Sequence, residues 1–127
     1  MSQATRQDPS VTQFRMSRIQ LVNWGAFHGY HALDIHPGGT LLTGPSGTGK
    51  STLLDGTMTV LMDRTMAFNA AAHDEGPRRE RTFHTYVRGK VGDRDTDHGK
   101  IPLYLREGAT WSAIAVTWTN AAGASVT

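Results

Sequence analysis

The chain has 127 residues, the length of one domain, and its 38% hydrophobic and 19% charged content is ordinary for a folded protein and excludes wholesale disorder. It has no cysteine, which excludes disulfides, thiolate metal sites and cysteine nucleophiles. A net charge of +2 permits a polyanionic partner without arguing for one.

Residues 1–13, MSQATRQDPSVTQ, are polar, lack the apolar segment of a secretory signal, and are expected to form a disordered tail. No apolar run approaches the ~18 residues of a membrane span, so no membrane partner is expected, and the absence of cysteine fits a cytoplasmic location. Residues 14–24 carry Met16, Ile19, Leu21 and Trp24 among polar residues and read as a strand before Gly25. Residues 30–35 are a second strand candidate, Pro37-Gly38-Gly39 a turn, and residues 40–43 a short third strand. From Lys50 to Met62, Leu53, Leu54, Met58, Leu61 and Met62 are spaced for one apolar helix face.

Residues 63–81 lack periodicity and read as a loop with a small helical turn at 68–72. Residues 81–88 read as one or two helical turns ended by Gly89. The charged, glycine-bearing stretch 91–100 reads as an exposed loop, followed by strands at 101–105 and 111–119. Asn120-Ala-Ala-Gly123 signals a hairpin turn, and residues 124–127 read as a strand cut off near its start. The chain is therefore expected to be the first part of something longer.

The chemistry concentrates in Gly44, Pro45, Ser46, Gly47, Thr48, Gly49, Lys50 and Ser51, which match G-x-x-x-x-G-K-[ST] at every fixed position. Glycines let the backbone curl into a nest of N–H donors around a β-phosphate, and the helix that follows adds its free amides and positive dipole end. Lys50 would neutralise β- and γ-phosphate charge, the Ser51 hydroxyl would ligate Mg²⁺, and Thr52 would reach the α-phosphate. The expected cofactors are ATP and Mg²⁺. Both flanks agree with the motif: an apolar strand candidate precedes it and an apolar-periodic helix follows.

Hydrolysis needs more than this loop. A P-loop ATPase holds Mg²⁺ with a carboxylate at the end of a second apolar strand and orients a water. The nearest pattern, Val60-Leu-Met-Asp63, sits on the helix directly after the loop, which suits an ordinary helix C-terminus better. The chain alone is expected to bind ATP without splitting it, with no catalytic residue of its own.

Beyond the loop, SRIQLVNWGAFHGYHALDI (17–35) before GPSGTGKST resembles the N-terminal lobe of SMC-type ABC ATPase heads. Asn23 to Phe27, Phe68-Asn69-Ala70-Ala71, RRERTFHTYVRGKVG (78–92) and IPLYLREGATWSAIAVTW (101–118) resemble the MukB/MksB/JetC branch, which includes the Wadjet plasmid-defence ATPases. The resemblance covers residues 14–127. It implies an α/β fold of the P-loop NTPase type: the N-terminal ATP-binding lobe of an SMC-like head, a mixed sheet with one long P-loop helix, truncated before the Q-loop, coiled coil, signature motif and Walker B. It implies ATPase activity only in the full dimeric head. The partners implied are a C-terminal head lobe, a second head, kleisin-type and accessory subunits, and DNA handled by loop extrusion or translocation.

Under that resemblance Trp24 and Phe27 could line the base and ribose end of the site, although buried aromatics of a small β-lobe are commoner. Arg78, Arg79, Arg81, Arg88, Lys90, Arg94 and Lys100 could meet DNA phosphates. The interleaved Glu80, Asp93, Asp95 and Asp97 favour a solvated face, with Arg88 the residue best matched to the family stretch. The six histidines show no H-E-x-x-H spacing and read as surface residues. A free-standing kinase-like P-loop enzyme and a non-catalytic nucleotide-responsive module are the alternatives. The first needs more parallel strands than this pattern offers.

Overall fold

The computed structural model describes residues 12–62, 68 and 81–127. Its centre is β1 (Arg15–Trp24), which pairs antiparallel with β2 (Phe27–Asp34) on one side and with β5 (Ala113–Thr119) on the other. A two-residue β6 (Ser125–Val126) adds to β5, giving the order β2-β1-β5-β6. The turn from β5 to β6 is closed by Gly123 N–H donating to Asn120 O at 3.1 Å and by Ala124 N–H donating to the Asn120 side chain at 2.9 Å. Every strand pair among the described residues is antiparallel, in place of the mixed sheet that the sequence suggested.

Alternation along β1 sends Ile19 and Leu21 inward, and simple continuation would send Asn23 after them. A bulge between Val22 and Trp24 prevents this. Asn23 adopts a left-handed conformation (φ 52°) that asparagine tolerates better than most residues. Its side chain accepts from Gly29 N–H at 2.9 Å, and its carbonyl accepts from the Ser112 hydroxyl. The extra residue turns Trp24 into the core, where it is 1% exposed.

Helix α1 (Lys50–Leu61) runs from the glycine loop across this sheet. Its buried residues are Thr52, Asp55, Gly56 and Thr57, whereas Leu54, Leu61 and Met62 of the expected apolar face are exposed. Trp24 and Leu21 pack against the helix at Gly56. A Cβ added at Gly56 would stand 3.0 Å from the Trp24 indole nitrogen and 3.1 Å from Leu21, so only glycine lets the helix come this close.

Helix α2 (Phe83–Arg88) starts with a capping box, Thr82 N–H donating to Thr85 Oγ1 at 2.9 Å and Thr85 N–H to Thr82 Oγ1 at 3.3 Å. It ends at Gly89 in the left-handed region, as expected. It contributes Tyr86 to the core, stacked on Trp24 with ring centroids 4.6 Å apart, and Phe68 and Phe83 meet the same indole edge-on.

Two further expectations fail. The expected loop at 91–100 is a hairpin: β3 (Lys90–Thr96) pairs with β4 (Gly99–Tyr104) as a separate two-stranded sheet. Opposite charges face across it, Asp95 against Lys100, and Gly99 (φ 120°) closes the turn with Thr96 Oγ1 donating to its carbonyl at 2.6 Å. The expected strand at 40–43 does not form: this segment belongs to no sheet, and Leu41 is 87% exposed. A strand needs a neighbour to bond, and residues 40–43 pair with none of the described strands. The expected tail at 1–13 lies outside the described residues except for Thr12 and Gln13, as does the helical turn at 68–72 except for Phe68.

Candidate functional site

The loop between residue 43 and α1 carries three glycines with positive φ, Gly44 (152°), Gly47 (84°) and Gly49 (93°). A side chain at any of them would strain the curl. Thr48 Oγ1 donates to Pro45 O at 2.9 Å and closes the loop across its own width. Lys50, the first residue of α1, folds back so that Nζ donates to Gly44 O at 2.7 Å and to Pro45 O at 2.6 Å. The ammonium is thereby fixed at the loop rim.

Gly49 caps α1 in the left-handed conformation with no side-chain hydrogen bond, and no acidic residue lies in the first turn. The helix therefore presents its positive end and first-turn amides to the loop without an internal anion to neutralise them. Ser46 and Ser51 are exposed beside it. A Cβ at Gly47 would meet open space, so the loop is unobstructed there. These are the features a polyphosphate requires, and the residues present fit one.

Thr52 sits differently. It is buried, its methyl group faces Gly25, and its carbonyl accepts from the Trp24 indole N–H at 3.0 Å. Phe27 presses against Gly49, where a Cβ would lie 3.1 Å from the ring, and His31 meets Phe27 edge-on at 5.2 Å. Next to them a cavity of about 300 Å³ opens beside the loop, bordered by Leu21, Phe27, His31, Leu42, Lys50 and Leu53. Of the two aromatics named from sequence, Phe27 thus borders the loop, while Trp24 is a core residue.

Residues 16–75 match the family model described as the P-loop containing region of AAA domain. This stretch is P-loop NTPase-like. No curated protein matches the chain. The match spans β1, β2, the loop and α1, so the elements that grip the loop belong to the P-loop region as much as the motif does. Such regions bind nucleotides, generally with Mg²⁺.

Behind the P-loop region lies a polar junction that sequence reasoning missed. The Tyr86 hydroxyl donates to the Asp55 carboxylate on α1 and accepts from Arg81 at 3.2 Å. Burial and then the Asp55 bond push the Tyr86 hydroxyl pKa up to about 12. Arg106 is 6% exposed and donates to the carbonyls of Gly25, Tyr86 and Val87. Burial pulls the pKa of its guanidinium down. The only signals in the sequence were Gly25 and Gly89, both glycines because their neighbours leave no room for a Cβ.

Three cations of the basic stretch have partners within the protein. Lys90 pairs with Asp93 at 2.8 Å, Lys100 approaches Asp95 at 3.9 Å, and Arg81 also lies over the Tyr86 ring at 5.9 Å. Arg88 lends its carbonyl to Arg106 N–H at 3.1 Å. His28, His31 and His36 serve local contacts, and among the described residues no cluster of three metal-ligating side chains occurs. Asp63, Asn69, Ala70, Ala71, His73, Arg78, Arg79 and Glu80 lie outside the described residues. No helix among those described is long and apolar enough to cross a membrane.

Proposed function

We propose that the chain binds ATP with Mg²⁺ in the loop from Gly44 to Thr52, as the N-terminal half of an ATPase site in an SMC-like, condensin-type head of the MukB/MksB/JetC branch. The observation that supports the nucleotide reading best is Lys50. Its ammonium is held 2.6–2.7 Å from the Gly44 and Pro45 carbonyls, at the mouth of a glycine loop leading into a helix N-terminus. In this reading the loop amides and Lys50 bind the β- and γ-phosphates, Ser51 supplies a hydroxyl to Mg²⁺, and Thr52, its side chain buried, offers its backbone amide to the α-phosphate. The nucleotide supplies the phosphoanhydride whose cleavage powers the head.

The condensin-type assignment rests on the sequence resemblance of residues 17–35, 78–92 and 101–118 to such heads. A complementary lobe and a second head would contribute the metal carboxylate, the water-orienting residue and the signature motif. Engagement and release of two heads, with kleisin-type subunits, would then drive DNA loop extrusion or translocation, in Wadjet systems as part of plasmid defence. Phosphate release measured on the chain alone should stay at background while ATP binds. Steady release that survives repurification and disappears in Lys50→Ala would contradict the divided site.

A further inference from the structure

Arg106 is a buried charge with an unusual set of partners. Among the described residues its guanidinium bonds only to backbone carbonyls: Nε to Val87 O at 2.7 Å, and Nη2 to Gly25 O at 2.8 Å and Tyr86 O at 3.0 Å. Nη1 is buried and has no hydrogen-bond partner among the described residues. Burying a guanidinium without a carboxylate is costly, so the contacts it makes must hold something in place that weaker groups would not.

What it holds leads to the P-loop region. Two of its acceptors are end carbonyls of α2, where a cation is favoured by the helix dipole. The third is Gly25, whose N–H also donates to Tyr86 O at 2.8 Å. Gly25 is therefore held at both its N–H and its carbonyl. Its α-carbon is pressed so closely on Thr52 that an added Cβ would lie 2.4 Å from the Thr52 methyl carbon. The preceding residue, Trp24, holds the Thr52 carbonyl. Thr52 follows Lys50 and Ser51 in the first turn of α1. Gly89 completes the arrangement: a Cβ there would strike Arg106 Nη2 at 2.7 Å and Gly25 O at 2.6 Å.

We propose that Arg106 is a positioning residue of the phosphate site, acting through Gly25 on Thr52 to fix the first turn of the P-loop helix. This rests on the nucleotide reading above. A binding constellation must be held to within about 0.5 Å to be effective, and Arg106 supplies that support from outside the loop. Because Leu105 N–H and Arg106 N–H bond to Gly89 O and Arg88 O, the base of the β3–β4 hairpin is tied to the same clamp.

Calorimetric titration of the full chain with ATP and Mg²⁺ tests this on wild type and Arg106→Lys, whose single ammonium cannot span three carbonyls. The expected result is binding about tenfold weaker at unchanged stoichiometry. A purely structural role would instead lower the stoichiometry, as molecules unfold, and leave the Kd of the folded fraction alone. That result, or wild-type affinity in the variant, overturns the proposal. A wild type that binds no ATP removes the nucleotide reading and this inference with it. A second measurement needs no variant: ATP should slow amide hydrogen exchange at Gly25 and Arg106. Protection confined to the loop amides would contradict the clamp.

Discussion

At the scale of single residues, the site depends on positions where a small side chain is the only one that fits. Gly56 is one of them. Ala is the better helix former by roughly 0.5–1 kcal/mol, yet its Cβ would stand 3.0–3.2 Å from Trp24 and Leu21. Neither neighbour can yield, since both are fully buried and the Trp24 indole is bonded to Thr52 O. Overpacking of this kind costs about 1–3 kcal/mol, so Gly56→Ala should lower stability by about 1 kcal/mol in denaturant unfolding. Tyr86 gives a prediction with a definite sign. An unfolded tyrosine loses its proton near pH 10, whereas the folded Tyr86 keeps it to about 12. Between those values the unfolded state binds fewer protons, so stability is intact below pH 10 and falls as pH rises through that window. Thermal unfolding should show this decline, and Tyr86→Phe should flatten it.

At the scale of elements, β3 and β4 pair only with each other, so their stability is separable from that of the four-stranded sheet. Gly99 holds their turn at φ 120°, a conformation that essentially only glycine adopts, with free space around it. Gly99→Ala should therefore strip exchange protection from the hairpin amides and leave those of β1, β2 and β5 unchanged. This hairpin was illegible in the sequence because Asp93, Arg94 and Asp95 are poor strand formers in isolation. Their cross-strand and neighbouring ion pairs, which composition does not reveal, make the pairing tolerable. The opposite error occurred at residues 40–43, where apolar composition suggested a strand that finds no partner. The P-loop, the start of α1 and the cap at Gly89 were legible, since each depends on local backbone chemistry. Arg106 was not, because nothing in its neighbours along the chain marks an arginine for burial.

At the scale of the molecule, the buried apolar core among the described residues is small: Ile19, Leu21, Trp24, Tyr86 and Val116. Several apolar side chains remain exposed, Leu41 and Leu42 just before the loop and Leu54, Leu61 and Met62 along α1. Surfaces of this kind drive association. Sedimentation velocity should show concentration-dependent self-association of the wild-type chain, reduced in the double variant Leu41→Asp/Leu54→Asp. The same organisation explains how a short motif is supported. The loop supplies the donors, α1 the dipole, and the Trp24–Gly25 turn, α2 and Arg106 hold the helix start from behind.

The central claim is that this loop binds nucleotide phosphates through Lys50. Calorimetric titration of ATP with Mg²⁺ into the wild-type chain and into Lys50→Ala tests it most directly. Saturable binding by the wild type that is lost in Lys50→Ala is the predicted result. Equal affinity in the two proteins, or no binding by either, would contradict it.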